Sequence, residues 1–232
     1  MVRPPVSVGA GQIGGSVVRF GSVGSSSGAC KLFILALLAA LPALATPLDK
    51  LQDSFGGTTI NSALWTASQT AGTASESGAT LNLAPNANTG LASILVSSAS
   101  TYSMTGSQAA VRVSRVPSNA GSVDTQFSVF LDSNNYVQWF YESGILYAFK
   151  QVGGLRTQLL SLTYSATNHA WWRIRESDGQ LKWETSADGA VYTIQAAVNT
   201  STLFSMSGLR VNFSSRPTTR DSPVPGKPRS RT

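Results

Sequence analysis

Between residues 48 and 214 no run of ten residues spaces its apolar side chains at a helical period. The same stretch is filled with short runs rich in Val, Ile, Thr, Phe, Tyr and Trp, cut by Gly, Asn, Asp and Ser. Strands are expected at 80–84, 91–97, 107–116, 124–131, 135–142, 145–151, 156–163, 170–177, 180–186, 191–197 and 206–213. Strands this short and regular, joined by tight turns, fold as an antiparallel sandwich or barrel.

Composition narrows the chemistry. Charged residues make up only 12 % of the 232 residues, too few for a helical surface. A single cysteine, Cys30, excludes a disulfide framework and a cysteine-based zinc site. A single histidine, His169, excludes an HExxH metal motif, and no Gly-x-Ser-x-Gly elbow accompanies it. It sits in a turn before the Trp171 strand, where a structural role is expected. The net charge of +6 belongs to the ends. Residues 46–215 carry nine Lys and Arg against ten Asp and Glu, so no nucleic-acid partner is expected at the folded core.

The ends themselves differ. Residues 1–30 are Gly, Ser and Val rich without period and read as a disordered leader. Residues 31–45 form a signal-peptide-like segment: Lys31, an apolar run of 14 residues, and Ala43-Leu44-Ala45 as a small-x-small cleavage site. Fourteen residues cannot span a hydrocarbon core about 30 Å thick, so no integral membrane span is expected. Secretion or cell-surface display follows as the expected location. Residues 215–232, with Arg216, Arg220, Lys227, Arg229 and Arg231, read as a disordered basic Pro-rich tail. The folded domain is expected at 48–214.

Turn chemistry sets registers. Asp178-Gly179 is a strong two-residue hairpin signal. It places Ile174 opposite Trp183, Arg173 opposite Glu184 and Arg175 opposite Lys182. Trp172, Ile174, Leu181 and Trp183 then share a core face, and Trp171, Arg173, Arg175, Lys182 and Glu184 share a face for solvent or a ligand. Ser143-Gly144 places Glu142 opposite Ile145. Reading residues 132–135 as a plain four-residue turn gives two more faces. One holds Phe127, Val129, Leu131, Tyr136, Phe140, Tyr147 and Phe149. The other holds Ser128, Phe130, Val137, Trp139, Tyr141, Leu146 and Lys150, and is expected to be the one that receives a ligand.

A family resemblance rests on Asp53-Ser54-Phe55, Leu64-Trp65, Glu76-Ser77-Gly78-Ala79-Thr80-Leu81, Asn134-Asn135-Tyr136-Val137, Trp172-Arg173-Ile174-Arg175-Glu176 and the segment from Trp183 to Gly189. In this order they resemble concanavalin A-like lectin/glucanase (laminin G-like) jelly-roll modules, known from bacterial secreted proteins and actinobacterial phage tail proteins. The resemblance covers about 53–213 and implies an all-β, antiparallel two-sheet β-sandwich of jelly-roll type. Such modules close with a last strand that pairs with the opening one. Here Val211-Asn212-Phe213 runs into the tail, so either 206–213 is the last strand or an open edge lies near 51–56.

Catalysis in this superfamily implies a Glu-x-Asp-x-x-Glu strand, which is absent; Glu142, Glu176 and Glu184 are scattered. No catalytic residue is therefore expected, and the function expected is non-catalytic binding of a glycan or cell-surface ligand. Aromatic rings stack on the C–H face of a pyranose while polar neighbours orient its hydroxyls. The expected ligand-binding residues are Trp139, Tyr141 and Lys150 on one face, and Trp171, Arg173 and Glu184 on the other. Asp132-Ser133-Asn134-Asn135 offers oxygens at close spacing for calcium, although the same residues make a plain turn. No other cofactor is expected. The rival readings are a structural or host-adhesion domain of a phage tail, with location in the virion, and a degenerate glycoside hydrolase relative.

Overall fold

The protein is described from a computed structural model, which covers residues 45–86, 92–117 and 123–217. The expected leader, most of the apolar segment at 31–45 and most of the tail lie outside these residues. The elements are strands throughout, apart from two single helical turns. They run β1 (Trp65–Thr70), β2 (Gly72–Ser77), β3 (Thr80–Pro85), β4 (Ser93–Ser98), β5 (Gln108–Arg112), β6 (Val123–Asp132), β7 (Asn135–Glu142), β8 (Ile145–Val152), β9 (Leu155–Thr163), β10 (Trp171–Ser177), β11 (Gln180–Ser186), β12 (Thr193–Asn199) and β13 (Arg210–Pro217).

Two antiparallel sheets hold the core, with β2 and β3 as a separate hairpin. The larger has seven strands in the order β1-β4-β13-β6-β7-β8-β9, the smaller four in the order β12-β11-β10-β5. The last strand therefore lies in the middle of the larger sheet, between β4 and β6. It runs on to Pro217, past the boundary expected at 214, because Arg216 pairs with Asp124 on β6. The segment near 51–56 makes no strand edge. Asp53 there accepts bonds from the Phe55 amide (2.8 Å) and the Trp65 indole (2.8 Å). Phe55, Trp65, Phe127 and Phe213 form one ring cluster, with centroids of neighbours 5.4–6.3 Å apart. The opening motif of the family resemblance is thus a clasp on the core.

Each sheet also bonds the other through a tryptophan. Trp139 on β7 donates to the Arg173 carbonyl on β10 (3.1 Å), and Trp183 on β11 donates to the Gln138 carbonyl on β7 (3.0 Å). Both indoles are fully buried. Burying a side chain of this size contributes about 4–6 kcal/mol as an upper bound, provided the N–H finds a partner.

The hairpin at Asp178-Gly179 has the expected register, with φ of 58° and 72° at the two turn residues. The Ser143-Gly144 turn likewise places Glu142 opposite Ile145. The turn at 132–135 differs from expectation. Asp132 pairs with Asn135, but the next pair is Phe130 with Tyr136, and Leu131 bulges out. One extra residue reverses every side chain on the rest of the strand. Phe127 and Val129 therefore join Val137, Trp139, Tyr141 and Leu146 on the inner face, whereas Ser128 and Phe130 point outward with Gln138, Phe140, Tyr147 and Phe149.

Candidate functional site

The outer face of the seven-stranded sheet is assembled from alternate residues of five adjacent strands. Asn212 pairs with Ser128, Ser128 with Gln138, Gln138 with Phe149 and Phe149 with Gln158. In the next row Ser214 pairs with Gln126, Gln126 with Phe140 and Phe140 with Tyr147. The face is thus amide and hydroxyl on the β13–β6 side and aromatic on the β8 side. Phe140, Tyr147 and Phe149 pack together, with centroids 5.6–6.0 Å apart.

Arg156 on β9 lies across this aromatic group, its Cζ 3.8 Å from the Phe149 ring centre and 5.3 Å from that of Phe140. Burial lowers the pKa of its guanidinium, but from so high a value that it stays charged. Among the described residues two buried side-chain atoms lack any hydrogen-bond partner, Arg156 Nε and Asn212 Oδ1. Both belong to this face, on strands four spacings apart, or about 19 Å. One is a donor and the other an acceptor.

Asp124 closes one end of the face. Its carboxylate is fully buried and accepts from Arg216 Nε (2.9 Å), Gln126 Nε2 (2.9 Å) and the Arg216 amide (3.2 Å). Burial pushes its pKa above the usual value, and Arg216 offsets only part of that.

The outer face of the four-stranded sheet is built differently. Glu184, only 1 % exposed, accepts from Arg173 Nε (2.6 Å) and from Arg175 Nη2 (2.7 Å) and Nε (3.1 Å). Burial alone would raise its pKa, but the bonds and charges of Arg175 and Arg173 outweigh it and hold the carboxyl below the usual range. Arg173 also bonds Gln108 Oε1 (3.3 Å) and lies 3.5 Å from the Tyr192 ring centre. Lys182 donates to Ser177 Oγ (2.8 Å), which also accepts from Arg175 Nη1 (3.0 Å), and lies 3.6 Å from Asp178. The shared hydroxyl and Asp178 offset part of the repulsion between two cations placed opposite each other.

The residues expected to bind a ligand are placed as follows. Trp139 and Tyr141 are corrected to the core: neither is more than 1 % exposed, and the Tyr141 hydroxyl donates to the Pro117 carbonyl (3.0 Å). The bulge at Leu131 is the cause, since it brings Phe127 and Val129 to their side of the sheet. Lys150, half-buried, follows them at the end of β8 and is not beside the outer aromatic group. Trp171, Arg173 and Glu184 do share one outer face, but Glu184 is sealed beneath its two arginines and cannot meet solvent. The Trp171 ring covers Gly189, where a Cβ would lie 2.6 Å from it.

Other expected features make local hydrogen bonds. Asp132 Oδ1 accepts from the Asn134 amide (2.8 Å), and both its oxygens accept from the Asn135 side chain (3.0 and 3.1 Å). His169 Nδ1 accepts from the Ser165 amide (3.0 Å), holding the turn before β10. Asp188 caps the amides of Ala190 and Val191. A cleft of about 840 Å³ opens between the layers beside β5, among Leu51, Phe55, Leu83, Val111 and Phe213. Its walls also carry polar side chains, among them Asp53, Asn82, Gln108, Arg112 and Gln126. No helix among the described residues is long and apolar enough to cross a membrane.

Comparison with known proteins identifies the fold. No protein-family profile matches the chain, and no curated protein sequence matches it. Among solved structures, the catalytic domain of an endo-1,3-β-glucanase (laminarinase) from Thermotoga petrophila superposes with a TM-score of 0.53 at 7 % identity, covering 72 % of this chain and 85 % of that one. A glycoside hydrolase family 16 endo-glucanase from Bacteroides ovatus gives 0.50 at 8 % identity, with the same coverage of 72 % and 85 %. The exoplasmic/lumenal domain of VIP36 in its Ca2+/Man2-bound form gives 0.50 at 13 % identity, covering 75 % and 80 %. The protein is a concanavalin A-like β-sandwich, the fold shared by these glucanases and this lumenal domain.

Proposed function

We propose that the protein binds carbohydrate without cleaving it, on the outer face of its seven-stranded sheet. The observation that carries this reading is the pair of unpartnered buried atoms, Asn212 Oδ1 and Arg156 Nε. A buried polar atom left unpaired costs about 1–3 kcal/mol, and a ligand able to supply the missing bonds recovers that cost. A sugar hydroxyl both donates and accepts, so one oligosaccharide laid across the strands can serve both ends. Its apolar C–H face meets the half-buried ring of Tyr147 midway, beside the Phe140 and Phe149 rings that Arg156 covers. The fold supports the reading, since it also serves a laminarinase and a domain solved with Man2.

Binding without catalysis fits the carboxylates. Glu76 accepts from the Asn61 amide, Glu176 from the amides of Gly106 and Gly179, and Glu184 from its two arginines. Asp124 is occupied by Arg216 and Gln126. The Asp132 turn spends its oxygens on amide donors, so the binding proposed here uses no metal. The apolar run at 32–45 supports export to the cell surface or medium as the setting.

A neutral glycan array probed with the full chain tests the reading. Asn212→Leu and Arg156→Gln should each weaken binding by about tenfold, the loss of one hydrogen bond in a dry setting. No bound neutral glycan, or equal binding by wild type and both variants, overturns the site. Incubation with laminarin should release no reducing ends; release that Glu142→Gln abolishes would establish an enzyme instead.

A further inference from the structure

We propose that the outer face of the four-stranded sheet is a second and separate binding surface, for acidic polysaccharides that carry carboxylate or sulfate groups. Residues 46–215 are nearly neutral, yet four of their nine Lys and Arg side chains stand on this one face. Arg175 and Lys182 face each other across β10 and β11, and Arg112 lies opposite Trp171 across β5 and β10, one step along from Arg173. The one carboxylate set among them is Glu184; Asp178 stands at the hairpin tip and Asp188 caps its own turn. Like charges directly opposite each other weaken a sheet. Glu184 and Asp178 answer part of this charge, and the rest, Arg112 included, faces outward for an anionic ligand.

Glu184 lies beneath the face, not on it, and so acts as a positioning residue. It grips Arg173 and Arg175 from below and fixes both guanidinium planes, which lowers the entropy lost when they bind. Each guanidinium keeps N–H groups that no protein atom takes. Arg173 and Arg175 are two residues apart on one strand, and their Nε atoms converge on one Glu184 oxygen, 2.6 and 3.1 Å away, so the two guanidiniums form one paired site. A polymer with repeated anions engages this pair together with Arg112 and Lys182, which a single anion does not. Arg112 is exposed, and Trp171 beside it supplies an aromatic surface for a sugar ring.

The test uses the full chain, so that the basic ends are the same in every sample. Affinities are measured for dextran sulfate, polygalacturonate and duplex DNA of matched charge, at fixed salt. Arg112→Glu is the first variant, because its side chain is exposed and the fold does not depend on it. Arg175→Gln is the second, and melting temperature reports folding for both. Both should raise the Kd for dextran sulfate or polygalacturonate about tenfold, with DNA affinity unchanged. The polymer that responds distinguishes sulfate from carboxylate. Neutral-glycan binding on the other sheet should be unaffected. The proposal is overturned if wild type binds neither polysaccharide, if neither variant changes the Kd, or if DNA affinity falls by the same factor.

Discussion

The outer faces of the two sheets solve the problem of polar groups on a β-surface in opposite ways. On the four-stranded sheet the charges satisfy one another: Glu184 uses both oxygens on Arg173 and Arg175, and Lys182 finds Ser177 and Asp178. On the seven-stranded sheet the groups are mostly neutral and aromatic, and two buried atoms are left without partners. A network closed on itself stabilises the protein and presents its spare N–H groups to anions. An open one costs stability until a ligand closes it. The contrast matches the two ligand classes proposed, anions for the closed network and hydroxyl groups for the open one.

The largest expected effect is on the closed side. Glu184→Ala leaves two partly buried arginines without their anion and should lower the unfolding free energy by about 3 kcal/mol, read from urea midpoints. A loss near zero would show that the network does not hold the sheet. On the open side the same kind of change should do the reverse. Asn212→Leu removes an unpaired polar atom and should leave stability unchanged or raise it by about 1 kcal/mol, while neutral-glycan binding falls. A loss of more than 1 kcal/mol there would mean that Asn212 already has a partner in solution.

Acid should separate the faces by sign. Glu184 is held below its ordinary value of 4.5, so its stabilisation is present above that pH and is lost as pH falls through the lower folded value. Asp124 is held above its ordinary value of 3.8, so its ionised form costs stability at neutral pH, a cost relieved as pH falls from the raised folded value. At pH 7 Glu184→Gln should therefore be less stable than wild type and Asp124→Asn more stable. Both differences should shrink toward pH 3; differences of the same sign would contradict the burial assigned to Asp124. The smallest expected effect is that of EDTA, which should change neither melting temperature nor neutral-glycan binding. A loss of binding restored by calcium would reassign the Asp132 turn as a metal site.

Much of the sandwich was readable from residues. Asp178-Gly179 and Ser143-Gly144 announce their hairpins because few dipeptides tolerate the positive φ that such turns need. The core face of β10 and β11 followed from the alternation of Trp172, Ile174, Leu181 and Trp183 with charged residues. β1 and β2 were not readable. Their Thr, Ala, Ser and Gln residues are largely exposed, and no apolar alternation marks them. The candidate site was misread at one position, Leu131. With a plain turn at 132–135, Trp139 falls on a face that lacks Phe127 and Val129 and so looks free to bind. With the bulge it joins them in the core, and Phe140, Tyr147 and Phe149 become the outer aromatic group.

The sequence alone determined the element type and the tight hairpins. Each of these depends on residues a few positions apart, through side-chain alternation and the dihedral angles a turn permits. The tertiary structure decided which face of β7 is inside, that Glu184 lies beneath its arginines, and that Asn212 and Arg156 come to one surface with atoms unpaired. Those outcomes depend on how strands far apart in the chain stack and slip against one another. No local pattern encodes a one-residue slip that decides which side of a strand faces the core.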